Sequence, residues 1–142
     1  MRAALLLASA AAMLLVACAR TSDEVRIRDA IAAMQQAAEE RRPRDFIAYV
    51  DADFTGNEGV DREALANLLR LELLRNERIG VTLGPIDIDV QGTRATARMS
   101  ATLTGGSGGL LPERGAVYSI ATAWRKQGGD WRCYNAEWKQ TL

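Results

Sequence analysis

The chain has 142 residues, 48% of them hydrophobic, with 18 basic and 18 acidic side chains and no histidine. Balanced charge argues against nucleic acid as a partner, since phosphate binding needs a concentrated basic face. The missing imidazole removes Ser–His triads, His–Asp acid–base pairs and histidine metal sites together.

The amino terminus starts with Arg2 and an almost unbroken apolar run from Ala3 to Ala17. A charged start, a short apolar core and a small residue before the cut form the layout of a secretory signal. The run is shorter than the roughly 20 residues a membrane-spanning helix needs. It ends in Leu15-Val16-Ala17-Cys18, which resembles the bacterial lipobox. The resemblance implies that residues 1–17 are removed and that Cys18 receives diacylglycerol and becomes the new amino terminus. One acyl chain binds a membrane reversibly and two or more hold firmly, so a lipid-anchored envelope protein facing the periplasm is expected. Ala19, in place of aspartate, implies sorting to the outer membrane where the organism has one. The 125 remaining residues suffice for one domain with a core. Residues 18–22 form the lipidated cysteine and a tether, and 23–142 the domain. Four tether residues reach at most about 14 Å, which keeps the domain close to the lipid.

With Cys18 consumed, Cys133 has no intramolecular partner. Its alternating context predicts a buried, inert thiol, with Arg132 on the opposite strand face.

The first helix is expected from Ser22 to Arg41. Thr21 and Glu24 have capping-box spacing, and Ile27, Ile31, Met34 and Ala38 form a buried stripe. Pro43 suits the first turn of a second helix, Pro43 to Val50. An extended piece, Asp51 to Thr55, and a turn, Gly56 to Gly59, follow. Asp61 caps a third helix running to about Asn76. Its leucines, from Leu65 to Leu74, encircle the axis, so it is covered on more than one side. That leaves two readings: deep burial, or a subunit or partner interface.

The remainder reads as strand. Ile79, Val81 and Leu83 occupy odd positions, then Ile86, Ile88 and Val90 even ones, and Gly84-Pro85 marks a bulge or kink between them. Residues 94–103 alternate small apolar with polar side chains, a half-buried strand whose polar face carries Arg94, Thr96 and Arg98. A flexible loop, Gly105 to Gly109, leads to strands at Ala116–Arg125 and Trp131–Lys139, joined through Gly128-Gly129-Asp130. Leu110 and Leu111 beside that loop are candidate contacts for a membrane or partner. Helices followed by consecutive strands predict an α+β fold, its antiparallel sheet curving around the helices.

That order, the segment Arg44 to Phe54 and the terminal Trp131-Arg132-Cys133-Tyr134 strand resemble the nuclear transport factor 2-like, ketosteroid-isomerase-like cone fold. The resemblance covers Ser22 to Gln140 and implies a scaffold that hosts enzymes, binding modules and assembly domains alike. The isomerase's tyrosine donor would fall near Ala30 and its base near Asn57, neither of which has the needed chemistry. Glu58 is the one neighbour able to deputise, and a glycine-flanked glutamate is ordinarily a solvated turn. Asp51/Asp53 and Asp87/Asp89 share faces, yet nothing nearby completes a Ca²⁺ shell of six to eight oxygens. The glycine loop lacks the Lys-Ser/Thr ending of a phosphate loop.

Met99, Tyr118, Ile120, Trp124, Trp131 and Trp138 are the bulky strand residues, filling a core or lining a pocket. The ligand-site candidates are Tyr118, Thr122 and Asn135, polar groups in apolar surroundings. No metal, cofactor or catalytic residue is assigned. The expected role is a non-catalytic, membrane-anchored module binding a small apolar ligand or a protein, either a second copy or another envelope component. A histidine-free lyase or isomerase acting through a pocket carboxylate is the alternative, and a purely structural assembly subunit a third.

Overall fold

In a computed structural model the described residues are 23–109, 112 and 114–142. Cys18, Thr21, Leu110 and Leu111 lie outside them. Helix α1 occupies 23–39 and turns Ile27, Ala30, Ile31, Ala37 and Ala38 inward, with Met34 half-buried. Glu24 pairs with Arg28 one turn on, at 3.0 Å. Arg41 ends this segment in the left-handed region, φ 61°. Its guanidinium reaches the carbonyls of Leu73 and Asn76, both at 2.6 Å, tying α1 to the end of the third helix.

Helix α2, Pro43–Ile47, starts on its proline and is shorter than the expected run to Val50. Val50 instead opens strand β1, Val50–Thr55. The backbone leaves the helix because Tyr49 gives its carbonyl to the Cys133 amide at 2.9 Å. A 3-10 turn at Asn57–Gly59 leads to α3, Arg62–Arg75. Asp61 caps α3 by accepting from the Ala64 amide at 2.8 Å. Ala66 and Leu73 face inward, while Leu68, Leu71 and Leu74 stay exposed, the last at 84%. The encircling leucines therefore divide between the core and an open flank.

Strands β2 (Arg78–Leu83), β3 (Asp87–Gln91), β4 (Arg94–Gly106), β5 (Arg114–Gln127) and β6 (Asp130–Gln140) complete a sheet of order β1-β6-β5-β4-β2, with β3 also on β4. Every pairing is antiparallel except β1 on β6. The sheet is thus mixed at one edge: β1 closes it from the amino-terminal side. The parity change at Gly84-Pro85 is one inserted residue. Leu83 pairs with Ala101 and Asp87 with Arg98, so four steps on one side face three on the other. The β5–β6 turn is Gly128-Gly129 with φ 57° and 91°, the signs a type I′ hairpin needs and glycine adopts without strain.

On the concave face the rows run Ala95–Trp124–Cys133 and Ala97–Thr122–Ala136, then Met99–Ile120–Trp138 and Ala101–Tyr118–Gln140. The parity of β6 changes between its first and last pairs because a bulge intervenes, where Ala123 pairs with Asn135 and Trp124 with Cys133. Helix α1, Phe54 and Ala66 pack with Trp124, Trp131, Ala95 and Ala97 as one core. Burying a side chain the size of Trp124 contributes on the order of 3 kcal/mol.

Candidate functional site at the open end of the cone

The two ends of this concave face differ. Around Trp124, 1% exposed, lie Ile27, Ala95, Ala97, Trp131 and Cys133, all buried. Farther along the same strands Met99, Ile120, Trp138 and Tyr118 are only half-buried, as are Leu65 and Leu83 on the opposing elements. Met99, Trp138, Leu65 and Leu83 pack against the core while part of their surface stays accessible, which makes this face the candidate for contact with a small apolar molecule.

Two of the three ligand-site candidates, Tyr118 and Thr122, lie on this face, sharing the inner side of β5. Thr122 is already committed: its hydroxyl donates to the Ala97 carbonyl at 3.1 Å and accepts from Trp124 Nε1 at 2.8 Å. Tyr118 remains half-buried, and its hydroxyl makes no hydrogen bond among the described residues. Asn135 is displaced from the pair. The β6 bulge turns it to the convex side, where its amide donates to the Thr55 carbonyl at 3.0 Å and fastens β1.

The isomerase-like positions serve structure. Ala30 is packed in the core at 6% exposure. Asn57 clamps the Trp138 backbone, donating to its carbonyl at 2.6 Å and accepting from its amide at 3.1 Å. A Cβ on neighbouring Gly56 would sit 2.8 Å from the Trp138 ring, so glycine lets the ring close this corner. Glu58 is solvent-exposed in the left-handed region, φ 54°.

Electrostatics concentrate on the convex side. Asp51, 3% exposed, accepts from Arg125 through both carboxylate oxygens, one of them at 2.8 Å from Nε, and Asp53 takes the same guanidinium at 3.0 Å. Arg125 therefore holds the Asp51 carboxyl below the ordinary carboxylate range, against the cost of burial. Tyr134 lies under this group and Arg94, 5.8 and 5.0 Å from its ring centre. Sequence reasoning paired Asp51 with Asp53 but missed the arginine 72 residues away. Lys126 likewise lowers the Asp23 carboxyl, at 2.9 Å. Burial pushes the Cys133 thiol up to about 12, the inert state its strand pattern predicted. Among the described residues Asp51 is the only buried carboxylate, and no cluster of three His, Cys, Asp or Glu has metal-site spacing. No helix among the described residues is long and apolar enough to cross a membrane.

A concavity that the sequence did not signal lies beside α1. It is an open cleft of about 860 Å³ between α1, α2 and the β5–β6 turn, with Ala30, Ala33 and Ala37 on its floor and Arg26, Asp29 and Arg132 on its rim.

The family model of the SnoaL-like domain matches residues 19–136. Among solved structures, a nuclear transport factor 2-like protein with a cystatin-like fold from Novosphingobium aromaticivorans is similar at 21% identity, covering 90% of this chain and 88% of its own, with a TM-score of 0.74. One of unknown function from Pseudomonas putida matches at 19%, covering 84% and 87%, TM-score 0.72. A hexachlorocyclohexane dehydrochlorinase from Novosphingobium barchaimii matches at 10%, covering 87% and 89%, TM-score 0.72. These identities establish a shared fold. Curated proteins give no match.

Proposed function

This chain belongs to the SnoaL-like domain family, and from that premise we propose that its cone binds a small, largely apolar molecule at the open end without converting it. The observation that carries this reading is the half-buried wall of Met99, Ile120 and Trp138 beside the Tyr118 hydroxyl, which has no hydrogen bond among the described residues. Such a surface suits a hydrocarbon skeleton bearing one acceptor for Tyr118. A non-catalytic role is supported by the inventory around it. General acid–base chemistry needs a titratable group within hydrogen-bond reach of the substrate. The chain has no histidine, its buried Asp51 is held by Arg125 on the far side of the sheet, and Glu58 sits on an exposed turn. The dehydrochlorinase of the same fold raises elimination chemistry as the rival reading. For this chain that reading requires a base the open end does not present among the described residues.

We further propose that Cys18 carries lipid and holds this domain at the envelope membrane, on the strength of Leu15-Val16-Ala17-Cys18 after a short apolar run. Both parts are testable on the full-length protein. In nanodiscs, with empty discs subtracted, 1-anilinonaphthalene-8-sulfonate should bind saturably and quench tryptophan emission. Ile120→Trp, which fills the wall, should abolish that binding while leaving the melting temperature within a few degrees. Undiminished binding by this variant would remove the open end as the site. Palmitate labelling should be lost in Cys18→Ser, and an unacylated wild-type protein would end the anchoring proposal.

A further inference from the structure

We propose that the closed end of the cone, formed by the first turn of α1 and the β5–β6 turn, is the face that lies against the phospholipid headgroups, so that the open end points away from the membrane. This rests on the lipid-anchoring reading above and adds to it a direction. The start of α1 is fixed in place: Asp23 takes Lys126 Nζ at 2.9 Å and Trp131 Nε1 at 3.2 Å, and Arg26 donates to the Gly129 carbonyl at 3.1 Å. Two bonds from successive strands and one from the turn between them hold the point where the chain enters the domain beside Gly128-Gly129.

Five residue steps separate Cys18 from Asp23, a reach of at most about 17 Å. The domain is longer than that. From Gln127 beside the turn to Val117 at the other end of β5 is ten strand residues, about 33 Å. Val117 in turn bonds Leu142, which places Leu142 at the open end. The α1 axis leads the same way, since Gln35 and Glu39 near its far end bond Val81 of β2 at 2.7 and 2.9 Å. With its entry point leashed so closely, the domain keeps the turn near the lipid and lifts the open end clear.

The chemistry of the closed end fits a headgroup layer. Lys126 and Asp23 neutralise one another, while Arg26 forms no ion pair among the described residues and presents spare donors to phosphate oxygens. Val25, on the first turn of α1, is the single exposed large apolar side chain among the described residues of this end, too little apolar surface to enter the acyl chains, so the contact is with headgroups. The wall of Met99, Ile120 and Trp138 then opens to the periplasm, where it meets solutes and not the bilayer.

The test uses full-length lipidated protein in vesicles of phosphatidylethanolamine and phosphatidylglycerol that carry a headgroup nitroxide. A bimane label is placed at Gln127→Cys or at Leu142→Cys, both exposed positions. Buried Cys133 stays unlabelled, which the parent protein verifies. Quenching at 127 should exceed that at 142 several-fold. Equal quenching at both would mean that the domain lies on its side, and stronger quenching at 142 that it stands inverted; either overturns the proposal while leaving the anchor intact. Protein that lacks acyl mass on Cys18 and fails to float with the vesicles would overturn the anchor and this orientation with it.

Discussion

The closed and open ends of the concave face are built from the same strands with the same alternation, yet they are finished differently. At the closed end, alanines 95 and 97 make room for Trp124, whose indole is hydrogen-bonded and sealed by Ile27 and Trp131. At the open end the flanking residues are as apolar, but the opposing elements leave them half-wetted: α3 turns Leu65 inward while Leu68, Leu71 and Leu74 look out. Packing at one end holds the fold, and looser packing at the other is where the proposed ligand would sit.

That division predicts unequal responses to the same kind of truncation. Trp124→Ala should cost about 3–5 kcal/mol, through lost burial, an unfilled cavity and an indole partner removed from Thr122. Ile120→Ala, on the same strand face but partly exposed, should cost about 1 kcal/mol. Urea denaturation of both variants decides the matter, and comparable losses would erase the distinction between the ends. The convex face supplies the next largest effect. Asp51→Asn leaves Arg125 with Asp53 alone and should cost about 1–3 kcal/mol, the partial exposure of Arg125 reducing the penalty of a fully buried pair. Asp51 and Asp23 both have folded-state pKa values below their unfolded ones, because Arg125 and Lys126 favour the charged forms. Their contribution is therefore complete above about pH 4 and is lost as the pH falls through the lower folded values. Wild-type protein should lose melting temperature steeply below that pH, and Asp51→Asn should flatten the slope.

Much of the scaffold was legible because local pattern fixed it. The apolar stripe of α1, the Asp61 cap, the half-buried 94–103 strand, the inserted residue at Gly84-Pro85 and the glycine hairpin each rest on neighbours in sequence. What escaped depended on long-range pairing. The parallel β1–β6 edge, the Arg125 grip on Asp51 and the cleft beside α1 join segments far apart in sequence. The candidate site was half legible. Period-two alternation links Tyr118 with Thr122 on one strand, but no count along β6 reveals that a bulge between its ends carries Asn135 to the other face. A bulge without a glycine or proline leaves no mark in composition.

Gly105 tests a smaller feature where the open end meets α3. The Asn76 amide donates to the Glu72 carbonyl at 3.0 Å, while its buried Oδ1 finds no hydrogen-bond donor among the described residues and lies against Gly105. A methyl group at 105 would run into that oxygen, so Gly105→Ala should cost about 1–2 kcal/mol in the same urea experiment.

The smallest stability change is the most telling for function. Tyr118→Phe removes a hydroxyl that has no partner among the described residues, so folding stability should stay within about 0.5 kcal/mol of wild type. Ligand binding should separate the variants where stability does not. If the hydroxyl serves an acceptor on an apolar guest, 2-acetylnaphthalene should bind wild type roughly three- to ten-fold more tightly than Tyr118→Phe, the worth of one neutral hydrogen bond. Naphthalene, equal in shape but without the carbonyl, should bind both alike. A loss shared equally by the two guests would make Tyr118 only part of the wall, and no loss for either would move the acceptor elsewhere along the open end.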